Sequence, residues 1–212
     1  MPFQRDKQGS KMIHITFVRH GRSLADDLRV HEGRFDSPLT EIGIQQAENR
    51  AKQFAEEGRK YDAILSSSMQ RARHVGEIFS THLNVPMTTH DELMERDNGP
   101  LQGLPFSESQ HKYPMADFVN PYQPCVVSAN EGESGVELYA RASLALQSII
   151  RRGSGRYLVV SHGRFLSTMF NVICGNQPRA NETGVRFAFD DLGYFDTTYR
   201  PDLDVWVIQS VR

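Results

Sequence analysis

"MIHITFV", residues 12–18, sets Ile13, Ile15 and Phe17 on one side and His14 and Thr16 on the other. Period-two alternation with β-branched residues predicts a strand. Directly after it, with no turn signal between, stand Arg19, His20, Gly21, Arg22 and Ser23. Arginine beside histidine fits poorly in a core. The strand therefore predicts a charged end that serves something outside the chain.

Outward from that strand, the chain alternates. "DDLRVHEGRFDSPLTEIG" (26–43) is polar and turn-rich and reads as a surface loop. A helix then follows Thr40 as N-cap, with Ile44, Ala47, Ala51, Phe54 and Ala55 on one face and Gly58 at its end. "YDAILSS" (61–67) is a short buried strand, and "SMQRARHVGEIFSTHL" (68–83) a helix with Met69, Ala72, Val75, Ile78 and Phe79 inward. Residues 85–96 read as an extended segment running into a loop. Residues 97–135 carry Pro and Gly with little periodicity, a long excursion of the kind that forms lids and binding loops. A helix (135–153), a strand (156–163) ending in a second His-Gly, and a helix (164–175) come next. The tail reads as three strands, 185–191, 193–200 and 204–211. This order predicts an α/β fold: a single domain over 12–212, with a mostly parallel sheet flanked by helices on both faces. Residues 1–11 read as a flexible leader.

Composition narrows the function classes. The 212-residue chain is 24% charged and 39% hydrophobic with a net charge of −2, so it lacks the basic excess of nucleic-acid or anionic-membrane binders. No apolar run approaches the roughly 18 residues of a membrane span, and the polar N-terminus has no secretory h-region. The two cysteines, Cys125 and Cys174, lack metal or redox spacing and read as reduced thiols in a cytoplasmic protein.

The chemistry collects at strand ends, where α/β sheets place ligands. One junction gives Arg19, His20 and Arg22; "SSSMQRAR" (66–73) gives Arg71 in the first turn of a helix; the last gives His162 before Gly163; and Glu95 follows the extended segment. Arginine forks suit phosphoryl oxygens. A neutral histidine can be the nucleophile, and neighbouring arginines hold it neutral. A second histidine can donate to an equatorial oxygen, and a protonated carboxyl can protonate the leaving alkoxide. Glycine after each histidine allows close backbone approach. Taken singly, each of these features has a bland reading, a surface salt bridge or a turn; together they point to phosphoryl transfer. Of the remaining histidines, His14 alternates outward on the strand, and His31, His74, His82, His90 and His111 read as solvated. Glu92 rivals Glu95 as the acid, and Arg73 rivals Arg71, although two residues on a helix differ by about 200°. A metal site is not expected: there is no HExxH or H-x-H, and the arginines would repel a cation.

"VRHGRS" (18–23), "GRFDSPLTEIGIQQA" (33–47), "SSSMQRAR", "ELMERDNGPLQG" (92–103), "EGESGVELYAR" (131–141) and "VVSHGRFL" (159–166) resemble the histidine phosphatase superfamily, in its phosphoglycerate mutase-like branch. The resemblance runs from about residue 13 to 170. It implies that His20 accepts the phosphoryl group, that Arg19 and Arg71 clamp its oxygens, and that His162 completes the pocket. Glu95 would then be the proton donor and afterwards the base for water. Ser23 stands where the family has Ser or Thr, and Arg22 adds charge at the mouth; both are candidate substrate contacts. Glu133 would lie at the edge. The chain departs from the pattern at Ala25-Asp26, where mutases carry Trp-Asn, and Asp26 would repel phosphate unless paired with Arg22 or Arg34.

Three activities fit. A phosphatase hydrolyses the phosphoenzyme, a mutase returns the group to another hydroxyl, and a weakly active member only binds a phospho-ligand. Residues 104–135 hold one basic residue, Lys112, and the aromatics Phe106, Tyr113, Phe118 and Tyr122. That weakly charged lid, with the missing Trp-Asn, favours a phosphomonoesterase over a mutase; no metal or cofactor is expected, and the substrate is expected to be a small phosphorylated metabolite. Neither nucleic acid nor membrane is an expected partner. The last strand could pair between copies in a homo-oligomer or lie within the sheet.

Overall fold

Residues 13–19 do form a strand, and it lies inside the sheet. A computed structural model describes residues 12–114, 117–124 and 131–211; the leader 1–11 and Cys125 lie outside them. The elements run β1 (Ile13–Arg19), α1 (Leu24–Leu28), α2 (Glu41–Glu56), β2 (Ala63–Ser67), α3 (Gln70–Leu83), β3 (Met87–His90), α4 (Phe106–Lys112), α5 (Gly135–Arg151), β4 (Gly155–Ser161), α6 (Gly163–Cys174), β5 (Tyr194–Arg200) and β6 (Val205–Val211). The strand order is β3-β2-β4-β1-β5-β6. β1 to β4 pair in parallel, while β5 and β6 add an antiparallel edge. The result is one α/β domain with a mostly parallel sheet.

Alternation along the strands builds two cores. Ile13, Ile15 and Phe17 face α5 and α6 and pack with Leu138, Ala142, Ile149, Phe165 and Met169. Val18, Ile64, Leu158 and Val160 face α2 and α3 and pack with Ala47, Ala51, Phe54, Val75 and Phe79. Phe17 is fully buried and stacks on Phe195 with centroids 4.6 Å apart. Burying a side chain of this size contributes about 1.5–3 kcal/mol. Helices on both faces therefore follow from apolar side chains on both faces of the strands.

α2 starts where its cap dictates: Thr40 Oγ1 accepts from Gly43 N at 3.0 Å. Ala55, expected on the apolar face, is exposed at the margin of the stripe. The tail differs from expectation. Residues 185–191 form no strand. Phe187 and Phe189 alternate as a strand would, but they cover the α6 face, with Phe187 at 3.8 Å from Phe170. Their backbone is satisfied by side chains: Ser167 Oγ accepts from Phe187 N, and Arg19 donates to Phe189 O. β5 already occupies that side of β1, and β6 is the outer strand. Two short helices were missed. α1 lies in the expected loop, closed by a capping box between Ser23 and Asp26, and α4 lies in the excursion.

The excursion is tied down at its first half. Gly103 N and Leu104 O bond the backbone of His31, and Phe106 N bonds Arg29 O. The His31 ring meets Phe106 edge-on at 4.6 Å.

Candidate active site

Register brings the two histidines together. β1 and β4 pair Arg19 with Ser161, and one residue further His20 N bonds Ser161 O at 3.0 Å. His20 and His162 thus leave adjacent parallel strands at the same level, with ring centroids 5.1 Å apart. β2 ends at Ser67, and α3 starts three residues later, which carries Arg71 inward. Both histidines and Arg71 are almost completely buried.

His20 Nδ1 lies 2.7 Å from Gly21 O. A carbonyl only accepts, so Nδ1 carries the proton and Nε2 carries the lone pair. Arg71 Nε donates to that Nε2 at 3.2 Å. Burial, then the Arg71 and Arg19 charges, hold His20 well below the ordinary imidazole range, so its ring is neutral. His162 is also held well below that range, by burial first and then by Arg71. Ser67 Oγ accepts from Met69 N and lies 2.8 Å from His162 Nε2, so its proton is free to serve Nε2. His162 Nδ1 is buried with no hydrogen-bond partner among the described residues, and Arg19 Nε is in the same condition. Buried polar atoms without partners are uncommon, and these two lie beside the His20 ring.

Arg71 spends its other nitrogens on the chain, donating to Gly33 O at 2.9 Å and Phe35 O at 3.0 Å. Arg19 Nη1 donates to Phe189 O and lies 3.5 Å from Asp191. Arg73 is exposed beside Glu77. Glu95 is buried, and its carboxyl accepts from Arg96 N, Phe165 N and Arg164 N at 2.8–3.0 Å, the last two at the N-terminus of α6. Glu92 sits on the surface against His90 at 3.3 Å.

Two expected contacts lie elsewhere. Arg22 is exposed and pairs with Asp27 through Nε at 2.6 Å. Ser23 is buried; its hydroxyl caps α1 and bonds Glu32 and Asp26. Asp26 is thus held by Ser23, not by Arg22 or Arg34, and Arg34 pairs with Asp97. Among the other histidines, His14 is half-buried against Thr198, and His31, expected to be solvated, is half-buried on Phe106. Gly21 answers to packing: an added Cβ would meet Gly43 O at 2.7 Å.

Sequence reasoning missed two residues. Glu32 Oε2 lies 3.7 Å from His20 Nε2 and Oε1 lies 3.5 Å from Arg71 Nε. Burial raises its pKa, against the pull of Arg71 and Ser23. Arg141, on α5, forms a two-bond fork with Glu133 at 2.7 Å and donates to the carbonyls of Glu92, Met94 and Glu95. It fixes the loop that carries Glu95, and it gives Glu133 a role as its anchor.

Two buried histidines with Arg71 and the Glu32 carboxyl beside the His20 lone pair set the expectation for relatives. The sequence matches the description "Histidine phosphatase superfamily (branch 1)" over residues 15–190. The chain belongs to that superfamily. Its curated relatives include proteins named "Probable phosphoglycerate mutase GpmB" from Yersinia pestis (strain Pestoides F) and Yersinia pseudotuberculosis, each 32% identical over 94% of this chain and 92% of theirs. Similar solved structures include a mycobacterial glucosyl-3-phosphoglycerate phosphatase complexed with VO3, at a TM-score of 0.78 and 19% identity, covering 93% of this chain and 98% of that one. Another is Bacillus stearothermophilus YhfR, at a TM-score of 0.76 and 23% identity, covering 92% and 95%. At such identities these two show the shared fold. Among the described residues no helix is long and apolar enough to cross a membrane.

Proposed function

We propose that this member is a phosphomonoester hydrolase that works through a phosphohistidine on His20, without a metal ion. The observation that carries the reading is the His20 ring: its proton is committed to the Gly21 carbonyl, its Nε2 lone pair is buried beside Arg71, and it is held neutral. Nε2 attacks phosphorus in line as the P–O bond to the leaving alcohol breaks. Arg19 Nε and His162 Nδ1, buried and unpartnered among the described residues, take up charge on the equatorial oxygens. Glu95 gives a proton to the leaving oxygen, then removes one from the water that breaks the P–N bond, which releases inorganic phosphate and restores neutral His20. The substrate is a small phosphorylated metabolite and the compartment the cytoplasm.

The curated relatives' names favour a second reading, a mutase that returns the phosphoryl group to another hydroxyl. The described part of residues 104–135 offers one basic side chain, Lys112, which is exposed. That supports hydrolysis over a site that closes on a doubly charged intermediate.

The test is phosphate release from an aryl phosphate in the presence of a chelator, for wild type and His20→Ala. Release that survives chelation and disappears in the variant supports the proposal. Release by His20→Ala at the wild-type rate overturns it, and isomerisation of a phosphorylated hydroxy acid without net phosphate release favours the mutase.

A further inference from the structure

Glu95 lies in the irregular segment after β3, in neither helix nor strand. Contacts, not the geometry of an element, therefore decide where its carboxyl sits. Three backbone N–H groups hold it: that of its neighbour Arg96, and those of Arg164 and Phe165 in the first turn of α6. The first belongs to one segment of the chain and the other two to a distant one.

Glu182 fastens those two segments to each other. Its carboxylate pairs with the guanidiniums of both Arg96 and Arg164, two of the residues whose N–H groups hold Glu95. Burial alone would raise the Glu182 pKa, but the bonds and charges of Arg164 and Arg96 outweigh it and lower the value to about 2. The carboxylate thus keeps its charge through neutral and mildly acidic pH. Arg186 reaches the same carboxylate at 3.1 Å from the exposed side. Arg96 is buried. Without Glu182, it and Arg164 would stand close together with no counter-ion between them, and a buried charge left uncompensated is strongly unfavourable.

The backbone marks the same position. Glu182 has a φ of 52°, in a left-handed region that glutamate adopts at a cost. Asn181 before it has a φ of 53°, which asparagine tolerates better, and its N bonds Val119 O in the excursion at 2.7 Å. Such a turn persists where its surroundings over-determine it, and here it sets one carboxylate between two guanidiniums.

We propose that Glu182 is a positioning residue for Glu95: by clamping Arg96 and Arg164 it holds in register the two backbone segments whose N–H groups fix the Glu95 carboxyl. That role rests on the reading of Glu95 as the group that protonates the leaving oxygen. A small displacement of that carboxyl slows the step in which the alcohol leaves and no other.

Leaving-group dependence separates positioning from general structural support. kcat/KM would be measured for a dinitrophenyl phosphate, whose leaving group departs without a proton, and for an alkyl phosphate, whose alkoxide needs one. This ratio reports the steps up to release of the alcohol and is blind to hydrolysis of the phosphoenzyme. General acids contribute about 10²–10⁴-fold, so we expect Glu182→Ala to lower the alkyl value about tenfold or more and to leave the dinitrophenyl value within about twofold. Glu182→Gln, which keeps the shape and one acceptor, should fall between Glu182→Ala and wild type, and Arg186→Ala should match wild type on both substrates. Glu95→Gln is the reference and should show the same selective loss, only larger. Equal losses on both substrates in Glu182→Ala and Glu182→Gln, or no loss on either, overturn the positioning role while leaving Glu95 as the acid. If Glu95→Gln itself shows no selective loss, the acid reading falls and this role falls with it.

Discussion

Glu32→Gln keeps the shape of a side chain whose carboxyl lies 3.7 Å from His20 Nε2 and removes its charge. Ser23, Arg71, Asp26 and Glu95 are the groups that act on that carboxyl, and burial dominates them and raises its pKa. Below the raised value Glu32 is neutral and can donate toward a phosphoryl oxygen. As pH rises through it, a carboxylate forms where the phosphoryl group must sit. Two unit charges about 4 Å apart at an effective dielectric of about 20 interact by about 4 kcal/mol. Arg71, 3.5 Å from Glu32 Oε1, offsets much of this repulsion. A net cost of about 1–2 kcal/mol corresponds to a five- to thirtyfold loss in kcat/KM. Wild type should therefore lose activity as pH rises through the raised Glu32 value, and Glu32→Gln should keep it. His20, held neutral far below the usual imidazole value, leaves the acid side open. The assay is kcat/KM for an aryl phosphate across the pH range in both proteins; the substrate's own ionisation is common to both and cancels in the ratio. The same loss with rising pH, at the same position and depth, in Glu32→Gln would refute the reasoning.

Arg141→Met should lower kcat about 10–100-fold with little change in the affinity for inorganic phosphate. It frees the carbonyls of Glu92, Met94 and Glu95 and leaves Glu133 unpaired; steady-state kinetics with a poor leaving group and phosphate inhibition would check this. Gly43→Ala should destabilise by about 1–3 kcal/mol, because its Cβ would meet Arg22 O at 2.1 Å. Denaturant unfolding reads the loss, and wild-type stability would contradict the close approach of α2 to the turn after His20.

Much of this was legible because it is local or periodic. The two-sided strands Ile13–Arg19 and Gly155–Ser161 dictate a sheet covered on both faces, and strand ends carry His20 and His162 to one level. Helical angle alone said that Arg71 and Arg73 could not both face one phosphate, and Arg71 is the buried one. What escaped depends on distant partners. Phe187 and Phe189 alternate like a strand, yet which edge of β1 is free is decided by Tyr194–Arg200. Glu32 sits in a polar stretch like any surface acid, and only the fold of that loop over Arg71 buries it. Arg141 occupies a helix turn whose targets lie more than forty residues away. Its one local signal is Glu133 eight residues earlier, across a helix start. Arg22, by contrast, looked functional by its neighbours but has a nearer partner in Asp27.

The central claim is that the phosphoryl group rests on His20 Nε2 during turnover. Rapid quenching of the reacting enzyme into alkali, where a phosphoramidate survives, followed by mass spectrometry of the peptide that contains Arg19 to Arg22, tests it most directly. The account predicts a transient phosphate on His20 that forms within the first turnover, decays to inorganic phosphate and is absent from His20→Ala. Steady turnover with no phosphorylated peptide at any time, or with the phosphate on another residue, would contradict it.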